Sequence, residues 1–333
     1  MAGDKGVADD PLLIDYIRAR SLPRRGVMAR SEQILVTLGA QNALYVIAQL
    51  LCAAGEKVFI EDPTYPDLRE TLVTLGADVT TLPVDEQGLP LDDRLSEADV
   101  VFVTPSHQAP TTATMPLARR RALLDAAEKH DFLIVEDDYD FEMGFLQKPA
   151  PALKSLDPNG RVIYIGSFSK SLFPGLRLGY LVAPEPVIRE ARGLRSLMLR
   201  HPPGHTQRTA AYFLALGHHD ALIRRLRSAF SDRRVAMQTA LEKNGFDTAR
   251  APQFGGGSFW IAAPEKIDTM ILAERLRERS VLIEPGAPFF ARQSLSGVAP
   301  PQNFMRLAYS SIASEKIPAG VALIAEMISS MRR

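Results

Sequence analysis

VIYIGSFSKSLFPGLRLGYLV, from Val162 to Val182, joins two apolar runs through a loop of small and hydroxyl-bearing residues. The first run is continuously apolar, as in strands that are covered on both faces, and the second is rich in aromatic and branched residues. The loop contains Ser167-x-x-Lys170, and Arg177 follows the lysine by seven positions. A lysine in a loop is ordinarily a solvated charge, so a chemical role for Lys170 requires partners elsewhere in the chain.

Apolar runs of this kind alternate with helical patterns from about Ile34 onward. The alternation predicts an α/β fold, in which a large domain has a mostly parallel sheet covered by helices on both faces. Long helical patterns begin at Glu185, and the short strands and helices after Gly245 predict a smaller C-terminal α+β domain. The predicted organisation is an N-terminal segment that packs on the small domain (1–30), a large domain (31–215), a connecting helix (216–245) and the small domain (246–333).

Composition excludes several classes of protein. The 333 residues have no formal net charge, so the chain lacks the electrostatic footprint of a protein that binds nucleic acid or an anionic membrane. The single cysteine, Cys52, excludes an internal disulfide framework and a multi-cysteine zinc site, and we expect no bound metal. The sequence shows no signal peptide and no apolar run long enough to span a membrane. We therefore expect a cytoplasmic protein.

An acidic cluster, IVEDDYD, lies at the carboxyl end of another apolar run. Its acids are ordinary solvated loop residues unless a ligand requires them. A cofactor with a pyridine ring requires a carboxylate at its ring nitrogen, which keeps that nitrogen protonated so that the ring can accept electrons. Asp137, at the predicted strand end, is the candidate for this role. Tyr139 shares the same face of the strand and can donate a hydrogen bond to a neighbouring ring oxygen.

The segment TLGAQNALYVIAQLL, residues 37–51, predicts a strand, a glycine turn and a helix. It is an ordinary strand-to-helix connection unless an anion such as phosphate binds at the helix N-terminus. The helix dipole contributes only roughly 0.3 to 1 kcal/mol per charge, so a dianion also requires an arginine. The candidate phosphate site consists of the backbone amides of Ala40 and Gln41 after the Gly39 turn, the Ser167 hydroxyl and Arg177.

Three further residues each allow two interpretations. Tyr65, in the turn EDPTYPD, either covers apolar surface or stacks on the face of a planar cofactor. His107, in PSHQAPTT after another strand, is either a turn residue or a direct cofactor contact. Arg306, inside the apolar strand FMRLAYS, either pairs with a buried acid or binds a substrate carboxylate in a bidentate manner.

Together these motifs resemble those of fold-type I pyridoxal-phosphate enzymes of the aminotransferase class I/II family, which share the aspartate aminotransferase fold. Within that family the chain is most similar to the aminotransferase-like domain of MocR/GabR-type regulators, which belong to the GntR family. The resemblance runs from about Asp10 to the end of the chain. The motifs that carry it occur in the family's order and spacing: VTLGAQNAL, EDPTYP, VTPSHQAPTTATMPLARR, IVEDDYD, PALKSLDPNGRVIYIGSFSKSLFPGLRLGYLV and FMRLAYS.

The resemblance implies that Lys170 forms the internal aldimine with pyridoxal 5'-phosphate and afterwards moves the substrate proton. The other roles that it implies concern the rest of the cofactor and the substrate. Asp137 would pair with the pyridinium nitrogen, Tyr139 with the phenolic oxygen, Tyr65 with the ring face, Ala40, Gln41, Ser167 and Arg177 with the phosphate, and Arg306 with the α-carboxylate of an amino acid.

Three features differ from the family's pattern. Thr112 stands where the family's Pro-Thr-Gly turn has glycine, and we expect this change to alter the loop beside His107. The chain begins near the family's Gly-Asp element, here GDKG, without the segment that normally covers the substrate pocket. No winged-helix domain precedes it, so we expect this chain to make no direct contact with DNA.

Two functions are compatible with these residues. The first is a homodimeric aminotransferase that moves an amino group between a small amino acid and a 2-oxo acid. The second is the sensor domain of a MocR/GabR-type regulator, which binds the cofactor and an amino acid or amine by the same chemistry with little or no turnover. Both keep Lys170, Asp137 and Arg306, so the sequence does not separate them.

Overall fold

The structure, a computed structural model, describes residues 8–52, 54–146, 150–248, 255–292 and 299–332, so the GDKG element lies outside the described residues. Its helices are α1 (Pro11–Tyr16), α2 (Gly39–Leu51), α3 (Pro66–Thr74), α4 (Leu117–His130), α5 (Glu185–Leu199), α6 (Gly204–Ala215), α7 (His218–Lys243), α8 (Thr269–Glu278) and α9 (Ile317–Met331). Its strands are β1 (Ile34–Thr37), β2 (Lys57–Asp62), β3 (Asp78–Pro83), β4 (Val100–Val103), β5 (Leu133–Asp138), β6 (Val162–Ser167), β7 (Gly179–Val182), β8 (Ser258–Ala262), β9 (Glu284–Pro285) and β10 (Phe304–Ala308).

Seven strands form the large sheet in the order β1-β7-β6-β5-β4-β2-β3. The strands from β2 to β6 are parallel, because the chain crosses back over the sheet before each new strand. β7 is antiparallel to both neighbours, because the loop between Ser167 and Gly179 contains no crossover helix. The predicted mostly parallel sheet is confirmed. The carboxyl ends of β2, β4, β5 and β6 consequently lie along one edge, where ligands bind in sheets of this kind.

Helices cover both faces of this sheet, as predicted. Successive residues of a strand point to opposite faces, so Val135 and Ile134 of β5 enter different apolar clusters. The cluster that contains Val135 also contains Ile47 of α2 and Ile188 of α5. The cluster that contains Ile134 also contains Leu123 of α4. Burial on both sides explains why the strand sequences are continuously apolar.

The placement of residues 1–30 on the small domain is wrong for the described part of that segment. Leu13, Ile17 and Leu22 are fully buried in a cluster with Tyr180 of β7 and Ala211 of α6. The physical reason is an apolar face of β1, β6 and β7 that α1 and α6 cover together. The other boundaries, at 31–215, 216–245 and 246–333, stay predictions.

The C-terminal part contains a separate antiparallel sheet in the order β8-β10-β9, together with α8 and α9. Its apolar core includes Met305 of β10, Ile324 of α9 and Met237 of α7. α7 is one continuous helix of 26 residues, as the sequence pattern suggested. None of the described helices is both long and apolar enough to cross a membrane.

Candidate active site

Polar side chains gather where the parallel strands end. Tyr65 follows β2, His107 follows β4, Asp137 and Tyr139 lie at and after the end of β5, and Ser167 ends β6. Parallel strands end at the same edge of a sheet, which brings the loops that follow them together. The rings of His107 and Tyr139 are nearly parallel, at 23°, with their centroids 6.1 Å apart. The structure therefore assembles several of the predicted site residues from separate loops.

Asp137 lies in a desolvated and acidic environment. Burial, together with repulsion from Asp138 and Asp140, raises the pKa of its carboxyl group to about 8. Its Oδ1 atom is buried and has no hydrogen-bond partner among the described residues. A buried acceptor without a partner is rare in folded proteins, since it costs free energy. An N–H group of a ligand would pair with this oxygen and favour the ionised carboxylate.

His107 and Asp140 form a close buried pair, with 2.6 Å between Nδ1 and a carboxylate oxygen. The Tyr139 hydroxyl lies 3.5 Å from the same ring nitrogen. Nε2 of His107 is buried without a partner among the described residues. Gly256, just before β8, packs against the ring so closely that a Cβ atom there would lie 2.2 Å from His107 Cε1. His107 is thus fixed between the large sheet and the start of the small one.

The N-terminus of α2 meets the loop that follows β6. No side chain caps this helix, so the amides of its first turn, including those of Ala40 and Gln41, are available to an anion. Gly39 has a φ of +80°, and an added Cβ atom there would lie 3.4 Å from the guanidinium group of Arg177. Arg177 is exposed and donates to the Leu38 carbonyl oxygen at 3.3 Å. The structure therefore brings a helix N-terminus and an arginine together, and their role in binding phosphate stays a prediction.

Two serine hydroxyl groups lie beside this helix end. Ser167 is buried, and its hydroxyl accepts a hydrogen bond from the Ser169 N–H at 3.2 Å. The Ser169 hydroxyl is buried without a partner among the described residues and lies 3.6 Å from the Cβ position of Gly39. Both hydroxyl groups can donate to an anion that the helix end and Arg177 attract.

Tyr65 and Gln41 share one acceptor. The Tyr65 hydroxyl donates to Asp67 at 2.7 Å, and the Gln41 side-chain amide donates to the same carboxylate oxygen at 2.9 Å. Burial and this carboxylate raise the pKa of Tyr65, the charge of Asp137 raises it further, and the charge of Arg177 lowers it. Tyr65 therefore lies within electrostatic reach of both the acid and the phosphate ends of the site. Its ring also packs on the core beneath α2, which agrees with the first of its two interpretations, and stacking on a cofactor stays a prediction.

Lys170 occupies the turn directly after β6 and is exposed. Its neighbours Phe168 and Ser171 are fully buried, so the backbone of the turn is anchored on both sides. Within the described part of the chain, the Lys170 ammonium group has neither a hydrogen bond nor an ion pair. The amine is therefore free to react with a ligand.

Arg306 is paired with an acid, which is the first of its two interpretations. Its Nη1 atom lies 2.8 Å from both carboxylate oxygens of Glu284 on β9, and Nε donates to the Ser258 hydroxyl at 3.1 Å. The pair is only partly buried. Burial raises the pKa of Tyr139 well above its ordinary value, and the positive charge of Arg306 acts in the opposite direction by lowering it. Arg306 therefore lies at the border of the site.

Thr112 replaces the expected glycine without changing the backbone conformation that glycine favours. Its φ is +66°, in the left-handed region that β-branched residues rarely adopt. The Thr112 N–H donates to the Gln108 carbonyl oxygen at 2.7 Å. Gln108 itself donates to Glu61 and to the Pro63 carbonyl oxygen, so it holds two loops together. The loop beside His107 thus adopts the turn that glycine would favour, and the backbone of Thr112 is strained as a result.

Sequence reasoning missed three residues of this region: Ser169, Asp140 and Glu284. Ser169 directly precedes Lys170, and Asp140 is the last residue of the acidic cluster. Both could therefore have been predicted from their positions next to other candidate residues. Glu284 offered none, because its pairing with Arg306 depends on the register of β9 against β10. No group of three or more histidine, cysteine or acidic side chains among the described residues is arranged to hold a metal ion.

Comparison with known proteins agrees with this geometry. The sequence profile of the family "Aminotransferase class I and II" matches residues 13–323. The HTH-type transcriptional regulator TauR of Rhodobacter capsulatus is 53% identical over 96% of this chain, which spans 65% of that regulator. Aromatic-amino-acid aminotransferase 1 of Thermococcus litoralis is 31% identical over 89% of this chain and 72% of its own length.

Solved structures show the same fold. The kynurenine aminotransferase of Pyrococcus horikoshii, crystallised with PMP, superposes with a TM-score of 0.86 at 28% identity, over 100% of this chain and 84% of that one. LysN, the α-aminoadipate aminotransferase of Thermus thermophilus, gives a TM-score of 0.87 at 26% identity, over 99% of this chain and 85% of that one. Profile, sequence relatives and fold agree that this chain belongs to the aminotransferase class I and II family.

Proposed function

We propose that this chain binds pyridoxal 5'-phosphate through Lys170 and recognises a small amine-bearing ligand at the bound cofactor. The observation that carries the proposal is the buried Asp137 carboxyl group, whose Oδ1 atom has no partner among the described residues. This acid lies on the same sheet edge as the N-terminus of α2. A ring nitrogen at one end and a phosphate at the other match these two features.

The residues present fit each part of the cofactor. Asp137 offers a carboxylate to the ring N–H, and the Tyr139 hydroxyl is a donor for the phenolic oxygen. The amides of the first turn of α2, the Ser167 and Ser169 hydroxyl groups and Arg177 offer donors and positive charge to the phosphate. Lys170 offers an amine without a partner among the described residues to the aldehyde. The cofactor would thereby supply hydrogen-bond partners for Asp137 Oδ1 and Ser169 Oγ, which are buried without partners among the described residues.

When bound, the cofactor supplies an electron sink for the bonds of the carbon that carries the ligand amine. Asp137 keeps the ring nitrogen protonated, since its own ionised form is favoured beside a cation. Tyr65 covers the ring and limits access of water. Lys170, once a ligand amine replaces it, is the base that holds or moves the proton of the amine-bearing carbon.

The use of this chemistry that we favour is sensing. The 53% identity to the regulator TauR over 96% of this chain supports a role as the ligand-binding part of such a regulator. The Arg306–Glu284 pair supports it too, because an aminotransferase needs that arginine for both of its carboxylate-bearing substrates. In this role the protein binds a ligand and changes conformation with little turnover.

Transamination between a small amino acid and a 2-oxo acid is the second candidate. The set of Lys170, Asp137 and Tyr139 contains all the groups that proton transfer requires, and one relative at 31% identity is an aminotransferase. The two candidates differ in turnover, not in cofactor.

A labelling experiment tests the proposed bond. Purified protein is mixed with pyridoxal 5'-phosphate, its visible absorbance is recorded, and borohydride reduction is followed by peptide mapping. We expect a yellow protein whose label lies on Lys170, and we expect Lys170→Ala to lose it while Lys266→Ala, an exposed lysine of the small domain, keeps it. A label on another residue, or no uptake of the cofactor, would refute the proposal.

Turnover separates the two uses. Cofactor-loaded protein is incubated with pools of amino acids and 2-oxo acids, and new amino acids are quantified against the amount of protein. Product in large excess over protein indicates an aminotransferase. A spectral shift with at most one equivalent of product supports the sensor.

A further inference from the structure

Arg306 and Glu284 face each other across neighbouring strands in a fixed register. Both carboxylate oxygens of Glu284 lie 2.8 Å from Nη1 of Arg306. On the other side, Nε of Arg306 donates to the Ser258 hydroxyl at 3.1 Å, and Ser258 is paired with Ala308 across β8 and β10. The guanidinium group is therefore held by contacts from two different strands of the small sheet.

These contacts restrict what Arg306 can offer to a ligand. A guanidinium group binds a carboxylate most strongly through two parallel N–H bonds, from either Nη1 and Nη2 or Nη2 and Nε. Glu284 occupies the first edge at Nη1, and Ser258 occupies the second edge at Nε. A ligand carboxylate can use a complete edge only after one of these partners leaves. Glu284 also places a negative charge where that carboxylate would approach.

The pair borders the site, not a distant surface. Arg306 influences the ionisation of Tyr139. Ser258 follows the glycine run in which Gly256 packs against the His107 ring. Glu284 itself is about half exposed, at 49%, so its side chain can move into solvent without the large cost of a buried charge.

We propose that Glu284 is a specificity-determining residue that disfavours ligands with an α-carboxylate. With Arg306 neutralised, the site accepts a primary amine whose nitrogen-bearing carbon carries no carboxylate, and an α-amino acid binds only by displacing Glu284. This inference rests on the proposed function, since it concerns the ligand of the Lys170-bound cofactor. It assigns a chemical class to that ligand: amines with an unsubstituted or alkyl-substituted amine-bearing carbon.

A pair of matched ligands tests the proposal. L-alanine and ethylamine have the same amine and methyl groups and differ in the α-carboxylate. Each is titrated into cofactor-loaded protein, and the dissociation constant is read from the visible spectrum. The proteins compared are the wild type, Glu284→Gln and the control Glu265→Gln, which removes an equal charge from an exposed small-domain residue.

We expect Glu284→Gln to lower the dissociation constant for L-alanine about tenfold, which corresponds to about 1.4 kcal/mol, and to leave that for ethylamine within about twofold. Glu265→Gln is expected to change neither. In Glu284→Gln/Arg306→Gln the gain for L-alanine should disappear, because the freed arginine causes it. Equal changes for both ligands, or no change for either, would overturn the role of Glu284.

A second measurement keeps the outcomes apart. Propionate cannot react with an aldehyde, so its binding by calorimetry reports on Arg306 even in protein without cofactor. Tighter propionate binding to Glu284→Gln than to wild type supports the inference, and unchanged binding refutes it. Failure to take up pyridoxal 5'-phosphate, by contrast, refutes the proposed function and leaves the propionate result to decide the inference.

Discussion

Buried carboxyl groups near the strand ends make the stability of this protein depend on pH. Burial raises the pKa of Asp137 to about 8 and those of Glu61 and Glu142 to about 7. In the unfolded chain such groups ionise at about pH 4. Between about pH 4 and 8 the unfolded state releases these protons while the folded state keeps them, so a rise in pH favours unfolding.

The variant Asp137→Asn isolates one of these groups. In protein without cofactor, we expect its stability relative to wild type to increase by about 3 kcal/mol between pH 5 and pH 8, because asparagine has no proton to lose. Urea denaturation at the two pH values measures this change. Asp125→Asn, an exposed carboxylate on α4, is the control and should show none. A relative stability that falls toward pH 8 would contradict the burial of Asp137.

Thr112 offers a test of backbone strain. The left-handed region costs a residue with a side chain roughly 1 to 2 kcal/mol, whereas glycine adopts it freely. We therefore expect Thr112→Gly to be more stable than Thr112→Ala by about 1 kcal/mol in urea denaturation. At Thr111, whose φ is not positive, the same pair of variants should rank in the opposite order. An advantage of alanine at position 112 would show that no strain is stored there.

At the scale of elements, the sequence predicts strands better than it predicts what packs on them. β5 begins with the apolar run LIV and β6 with VIYI, and both strands are predictable from those runs. The docking of α1 was not predictable, since its apolar residues fit either domain until the uncovered face beside α6 is known. The local periodicity of a sequence indicates that an element has an apolar side. It does not indicate which surface of the protein that side packs against.

In the candidate site too, positions along the chain are predictable from the sequence and tertiary partners are not. Asp137, Tyr139 and Gly39 were predicted because each lies at a strand end, and strand ends share an edge. The partners of Arg306 and His107 could not be predicted, because Glu284 and Asp140 reach them through tertiary contacts. For Arg306 the sequence left two interpretations, and the described structure contains the ion pair.

The segment before β1 is joined to the site by one buried ion pair. Arg25 Nε donates to Asp138 at 2.6 Å, and Nη2 donates to the Ser106 hydroxyl at 2.7 Å. Both charged side chains are about 1% exposed. Removal of one partner of such a pair leaves the other charge buried alone, which typically costs about 3 to 5 kcal/mol.

We therefore expect Arg25→Met to destabilise the protein by about 3 kcal/mol or more, measured by urea denaturation. Arg24→Met is the matched control, because Arg24 makes a solvent-exposed pair with Asp220 that contributes about 0 to 1 kcal/mol. In Arg25→Met/Asp138→Asn part of the loss should be recovered. Equal effects of the two single variants would show that burial of the Arg25 pair is irrelevant.

At the scale of the whole molecule, large apolar side chains remain exposed on consecutive helices. Leu197 of α5 is 86% exposed, and Tyr212 of α6 and Leu216 just after it are also exposed. Large exposed apolar side chains are candidates for contact with another protein chain. We expect Leu197 to lie in a homodimer interface.

Sedimentation measures the prediction. Wild type should sediment as a dimer, and Leu197→Glu should raise the dimer dissociation constant at least about tenfold, because a charge would be buried on association. Val235→Glu, at a single exposed apolar position on α7, is the control and should remain dimeric. A monomeric wild type, or dissociation by both variants, would contradict this placement of the interface.

The continuous helix α7 makes the two halves of the site mechanically interdependent. Arg227 donates to the Glu142 carbonyl oxygen at 3.0 Å, and Arg233 donates to the Ser310 carbonyl oxygen. One helix therefore contacts both the loop that follows β5 and the loop that follows β10. At 1.5 Å per residue its 26 residues extend about 39 Å. A tilt of about 3° at one end therefore displaces the other by about 2 Å. A displacement of α7 would therefore move both loops together, and this coupling is what a change of conformation on ligand binding would require.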